Sequence, residues 1–383
     1  MIRLLLACTL LLGCVRPAPA MPPSDRLAVL RHGVNLTNWF RYPASLDPAR
    51  LRAYLSDAAI ADLRLAGFGF VRLAVQPELL MQGEALRQDR LDLLLGAIRR
   101  LQRAGLAVVI APHPFRWRLE SDPIVLPRFW QALAPALAGT DPRMTFPEVL
   151  NEPVFAQDPA AWTNLQATTL AVIRSVLPRH TVILTGPDWG SIHGLLALPP
   201  SADANVVYSF HFYDPSELTS LAAYRPGLDT AALARLPFPM SPAACAPIAA
   251  ATDTQTAGLI RFTCAMRWNP DKLRKNLASA GAWARRNNAS LLLGEFGASV
   301  RLNSAARLAW LAAVRSGAEQ EGIGWAIWGY DDGMGFAIPN PPPARPVLHP
   351  ALLQALGLRD PGQSGEGKQG QGLRTHASHL GPR

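Results

Sequence analysis

Lysine is almost missing from this chain: of 37 basic side chains only Lys272, Lys275 and Lys368 are lysines, and the formal charge of +9 comes from arginines scattered along 383 residues. No dense basic block with interleaved aromatics appears, so the charge does not describe a polyanion groove and nucleic acid is not an expected partner. Cysteine is scarce too, with Cys8 and Cys14 near the start and Cys245 and Cys264 far downstream. No Cys/His spacing fits a zinc site, so no metal is expected. The candidate first strand runs into Asn35-Leu-Thr-Asn-Trp39 rather than a glycine-rich phosphate turn, which removes the usual signature of a nucleotide-binding open sheet, and no cofactor is expected. Ser209 near His211 lacks the flanking glycines of a nucleophile elbow.

Beyond the N-terminus no apolar run reaches transmembrane length. The N-terminus itself has Arg3, an apolar stretch from Leu4 to Leu12 and then Pro and Ala, the form of an export signal over residues 1–20. Leu11-Leu12-Gly13-Cys14 resembles a lipobox with a possible lipid anchor at Cys14, whereas Ala18-Pro19-Ala20 fits ordinary signal-peptidase cleavage; soluble export, periplasmic or extracellular, is preferred. In an oxidising compartment Cys245 and Cys264 read most simply as a disulfide, with two unrelated buried thiols as the alternative.

With 49% hydrophobic and 17% charged residues the chain can bury a large core. Short apolar runs alternate with amphipathic stretches. Strands are expected at 32–36, 68–75, 107–111, 145–150, 181–185, 206–212, 291–295 and 324–328, with helices at 57–66, 90–104, 160–176, 270–287 and 304–321. Eight β-then-α repeats point to a parallel sheet closed as a (β/α)8 TIM barrel, a single α/β domain over residues 25–358. The long Pro- and Ala-rich segment from Asp214 to Asn269 reads as an elaborated loop after strand 6, and a second shaped loop follows Asp331 through Pro339 to Pro346. Residues 360–383, rich in Gly, Gln and Ser, read as a disordered tail. A monomer is expected.

In a barrel of this type active sites form at the C-terminal ends of the strands. Arg72, His113, Asn151, Glu152, His211, Tyr213, Glu295 and Trp328 all fall there. A lone buried His or Trp is more often packing than chemistry; eight such residues in one place are not. Glu152 in Asn151-Glu152-Pro153 and Glu295 in Gly294-Glu295-Phe296-Gly297 supply the acid/base and nucleophile pair that retaining glycoside cleavage needs. Strand alternation puts Glu148 on the same face as Glu152, where a carboxylate paired with Arg72 is the expectation.

These residues resemble glycoside hydrolase family 5, the retaining barrel family of many secreted cellulases, from about Gly33 to about Leu358. The resemblance rests on Arg72 on strand 2, His113 after strand 3, Asn151-Glu152 ending strand 4, His211-x-Tyr213 on strand 6, Glu295 ending strand 7 and Trp328 on strand 8. It implies Glu152 as the acid/base and Glu295 as the ionised nucleophile, with carboxyls about 5 to 5.5 Å apart. It implies also that Arg72 and Tyr213 hold Glu295, that His211 orients Tyr213 or Glu152, that Asn151 meets the sugar 2-hydroxyl, and that Trp328 and His113 line the subsite before the cleaved bond. Asn35, Trp39, Trp117, Trp189, Asp331 and Asp332 are further candidates around the cleft. The expected partner is a β-linked polysaccharide or oligosaccharide, and the expected activity endo-1,4-β-glucanase, with endo-β-mannanase as the alternative. A non-catalytic carbohydrate-binding envelope protein is disfavoured, since a binder needs no matched acid and nucleophile.

Overall fold

The computed structural model describes residues 22–155, 157–335, 337–338 and 347–362. The expected export signal with Cys14, the stretch 339–346 and most of the expected tail, 363–383, lie outside the described residues. Eight parallel strands form the centre: β1 (His32–Phe40), β2 (Phe70–Val75), β3 (Ala107–Pro112), β4 (Thr145–Pro147), β5 (Val182–Thr185), β6 (Val206–Phe212), β7 (Ser290–Phe296) and β8 (Gly324–Ile327). Their order in space is β4-β3-β2-β1-β8-β7-β6-β5. A lone bridge between Glu148 and Ile183, with the Val149 amide donating to the Ile183 carbonyl at 2.9 Å, brings the two edges together into a nearly closed barrel.

Around it run α1 (Asp57–Ala66), α2 (Gln88–Arg103), α3 (Val125–Leu137), α4 (Pro159–Val176), α5 (Ile192–Ala197), α6 (Pro242–Ala250), α7 (Thr254–Ala265), α8 (Pro270–Asn287) and α9 (Ser304–Gln320). Local chemistry fixes several of their starts. Ser56, Asp158 and Asn269 each accept from the backbone of the first turn, the last two followed by proline at the first helical position. The left-handed Gly67 closes α1.

Strand alternation makes two apolar layers. Val71, Leu73 and Val75 of β2 face the helices, while Phe70 points into the barrel with Val109, Phe146, Ile183, Val207 and Leu292. The Phe70 ring lies against Gly33, where any Cβ would come within 2.2 Å of it. The barrel floor is thereby filled with side chains, and the chemistry sits above it.

The segment from Asp214 to Asn269 departs from the loop expectation. It holds four helices, Ser216–Thr219, Thr230–Leu233, α6 and α7. Ser241 and Asp253 cap α6 and α7, and the Cys245–Cys264 disulfide ties the two together. In α6, Pro242-Ala-Ala-Cys-Ala-Pro-Ile-Ala-Ala250, small apolar residues on every face leave no stripe for a periodicity reading to detect. Among the described residues no helix is long and apolar enough to cross a membrane.

Candidate active site

Register places the charged centre. Arg72 on β2 lies opposite Asn35 on β1, and His211 on β6 lies opposite Glu295 on β7. Alternation sends Arg72 inward one layer above Phe70, so a guanidinium sits at the top of the packed barrel with no solvent contact.

Arg72 uses all five N–H groups. Nε and Nη2 donate to the two oxygens of Glu148 at 2.8 and 2.7 Å, and Nη2 also donates to Asn151 Oδ1 at 2.7 Å. Nη1 donates to Asn35 Oδ1 at 2.9 Å and to Glu295 Oε1 at 2.6 Å. Asn35 passes this constraint to the frame, its Nδ2 donating to the carbonyls of Gly294 at 3.0 Å and Ile327 at 3.2 Å. Burial alone would discourage charge on Arg72, but Glu148 and Glu295 reverse that and raise its pKa above the ordinary arginine value.

Burial would likewise raise the Glu295 pKa. His211 and Arg72 beside it outweigh burial and hold the carboxyl well below the usual carboxylate range. Among these, Arg72 carries a charge that no change of pH removes in the working range. The Tyr213 hydroxyl donates to Glu295 Oε2 at 3.0 Å, and burial together with the neighbouring carboxylates pushes its pKa well up, so it remains a donor. His113 Nδ1 lies 2.8 Å from the Ala111 carbonyl and donates to it, leaving Nε2 3.6 Å from Glu295 Oε1. Burial lowers the His113 pKa to about 3 and keeps the ring neutral.

Glu152 stands apart in exposure, its side chain 27% exposed against 5% for Glu295. His211 Nδ1 lies 2.9 Å from Glu152 Oε1 and 3.5 Å from Glu295 Oε2, so the histidine orients the Glu152 carboxyl and spans the pair. One oxygen of each glutamate and a ring nitrogen of His211 all lie within 4.8 Å of one another. That trio is close enough to share a cation. The Arg72 guanidinium 2.6 Å from Glu295 Oε1 opposes one, because it already occupies the carboxylate and would repel a second positive charge.

A cleft of about 590 Å³ opens beside Glu152, with Arg41, His113, Trp117, Arg118, Asn151 and Trp189 among its other walls. Trp189 is 58% exposed and available to a ligand, whereas Trp117 is half-buried and packs edge-on against Phe129. Trp328 is half-buried with its ring 6.0 Å from that of His113.

Trp39 goes elsewhere. It is 1% exposed, donates through Nε1 to the Leu51 carbonyl at 2.7 Å and packs on Phe40 and Tyr54, so it is a core residue and not a cleft wall. Asp331 accepts from Tyr54 at 2.8 Å and Asn38 at 3.2 Å, and Asp332 from Thr37 at 3.0 Å and the Met334 amide at 2.9 Å; these bonds pin the segment after β8 to β1. Sequence reading passed over Arg41, which follows β1 and reaches the cleft. Its only signal was the neighbouring Tyr42.

A parallel eight-strand barrel that carries two nearby carboxylates past strands 4 and 7, one held ionised and one open to the cleft, is the framework of a barrel glycosidase. The model of the cellulase family, glycosyl hydrolase family 5, matches residues 31–333, and the chain belongs to that family. It is 24% identical to Endoglucanase 3 of Fibrobacter succinogenes over 79% of this chain and 49% of that protein, so it spans about half the length of that relative. It is 24% identical to Endoglucanase C of Acetivibrio thermocellus over 80% of this chain and 93% of the relative. Among solved structures, Thermotoga maritima Cel5A in complex with mannotriose superposes with a TM-score of 0.70 at 23% identity, covering 87% of this chain and 99% of that one.

Proposed function

We propose that this protein cleaves internal β-1,4 bonds of a β-glucan with retention of configuration, as an endo-1,4-β-glucanase. The observation that carries the reading is the approach of Glu152 and Glu295 oxygens to within 4.8 Å, with Arg72 bonded to Glu295 alone of the two. Oxygens this close suit the retaining spacing of about 5 to 5.5 Å between carboxyls better than the roughly 6.5 to 9.5 Å of inverting enzymes, which admits a water.

In the first step Glu295, ionised and aimed by Arg72 and Tyr213, attacks the anomeric carbon while Glu152 gives its proton to the departing glycosidic oxygen. His211 sets the direction of the Glu152 carboxyl. In the second step Glu152, now a carboxylate, takes a proton from the water that displaces Glu295. With its Oδ1 accepting from Arg72, Asn151 has its amide N–H left to donate to the sugar 2-hydroxyl, and Trp328 offers a ring face for the sugar. The cleft, with aromatic residues toward both Tyr42 and Trp189, suits a chain that continues past the cleaved bond. Export is part of the proposal, supported by the apolar leader and by the disulfide. A β-mannan is the second reading, favoured by the likeness to a structure solved with mannotriose.

The test is hydrolysis of a panel of soluble β-glucans and β-mannans by the wild type, Glu152→Gln and Glu295→Gln. Oligosaccharide release that both variants lose supports the proposal, and the preferred polymer names the substrate. Folded wild type that cleaves no member of the panel contradicts it.

A further inference from the structure

Arg41 stands at the mouth of the cleft, one residue past β1, half-buried. Its guanidinium carbon lies 4.7 Å from the centroid of the Tyr42 ring and 5.6 Å from that of Trp328. Ring faces steady a guanidinium through its own flat face. They offer no acceptor to the N–H groups that radiate in its plane, and Nε is buried without a hydrogen-bond partner. Among the described residues no carboxylate closes an ion pair with it. Asp332, the acid whose charge it favours, is held by Thr37 and the Met334 amide instead. Arg118, a second guanidinium of the same cleft, donates to the Trp117 carbonyl at 3.1 Å and not to a carboxylate.

We propose that Arg41 is a specificity residue that selects β-glucan chains carrying an anionic group, a carboxylate or a phosphate ester, on a sugar laid against Trp328 or next to it toward Tyr42. The proposal rests on the glycosidase reading and narrows its substrate class. A neutral sugar hydroxyl would satisfy one N–H but leave a partly desolvated cation without a counter-charge. A carboxylate or phosphate oxygen pair matches the planar fork and forms charge-assisted bonds about twice as strong as neutral ones. The nucleophile does not repel such a substrate strongly, because Arg72 already compensates Glu295.

The experiment compares kcat/KM on carboxymethylated, phosphorylated and neutral hydroxyethylated cellulose of matched length, for wild type, Arg41→Gln and Arg41→Lys, at low and high ionic strength. The ratio of acidic to neutral kcat/KM is expected to fall about tenfold in Arg41→Gln, which corresponds to the loss of one good charge-assisted contact. Arg41→Lys keeps part of the preference, since it retains charge but not the fork, and salt weakens the preference in the wild type. The acidic chain with the larger dependence on Arg41 identifies the anion. Equal losses on acidic and neutral chains would overturn the proposal and leave Arg41 as a support for Trp328 or a donor to neutral hydroxyls. A folded wild type that cleaves none of the chains sinks the glycosidase reading instead. Calorimetric binding of acidic and neutral cello-oligosaccharides then decides the Arg41 claim by the same ratio.

Discussion

Arg72 binds Glu295 through a single Nη1–Oε1 contact of 2.6 Å while its opposite edge closes on both oxygens of Glu148. The two carboxylates thus share one cation unequally. Glu148 takes a bidentate grip that fixes the guanidinium, and Glu295 takes the remaining donor, leaving its second oxygen to Tyr213. Glu148 anchors the arginine, and the arginine anchors Glu295.

Replacing Arg72 should therefore act on both stability and acidity. Arg72→Met takes from Glu148 its bidentate partner and leaves Glu295 with only Tyr213 and His211, a loss of about 3 to 5 kcal/mol that urea unfolding would register. Arg72→Lys keeps a charge but loses the planar fork that grips both oxygens of Glu148 while reaching Glu295. With that cation weakened, the Glu295 pKa rises, so the acid limb of kcat/KM should move to higher pH in Arg72→Lys. A limb that stays where the wild type has it would separate Arg72 from the nucleophile.

Glu152 should reveal its role through the leaving group. An aryl glycoside whose phenol leaves unaided needs little proton donation, while a sugar leaving group needs it fully. Glu152→Gln is expected to lose about 10³-fold or more on oligosaccharides, some 4 kcal/mol of barrier, and far less on a dinitrophenyl glycoside in the glycosylation step. Pre-steady-state release of the phenol measures this. Equal losses on the two substrates would show that Glu152 is not the acid.

His113 gives the fold a pH dependence of its own. Its pKa is about 3 when folded against 6.5 for a free imidazole, so between these limits the unfolded chain binds the extra proton. Stability is then complete above pH 6.5 and is lost as pH falls toward 3, with a slope of at most about 1.4 kcal/mol per pH unit from this residue. The unfolding free energies of wild type and His113→Gln, compared from pH 7.5 to 4, should converge as the pH drops. A difference that stays constant across that range would mean the ring is not buried as a neutral group.

Legibility in the sequence followed physical regularity. All eight barrel strands were readable because buried parallel strands are short apolar runs, and the residues that interrupt them, Arg72, His113, Glu152 and Glu295, fall where a barrel builds its site. Glu148 was readable from alternation alone. Trp39 misled because an aromatic at a strand end looks the same whether it faces the cleft or turns under the loop, as this one does toward Leu51. Helix α3, Val125–Leu137, was passed over, its start lacking a side-chain cap and Pro135 interrupting its last turn. Arg41 escaped because what singles it out, a guanidinium with no carboxylate partner among the described residues, is displayed only by the packed structure.

The most direct test of the two-glutamate account is the configuration of the sugar at the moment of cleavage, followed by proton NMR on a soluble cello-oligosaccharide before the product mutarotates. The account predicts that the β-anomer appears first and the α-anomer grows in later. An α-anomer at the earliest times would mean that water, and not Glu295, attacks the anomeric carbon, and would contradict it.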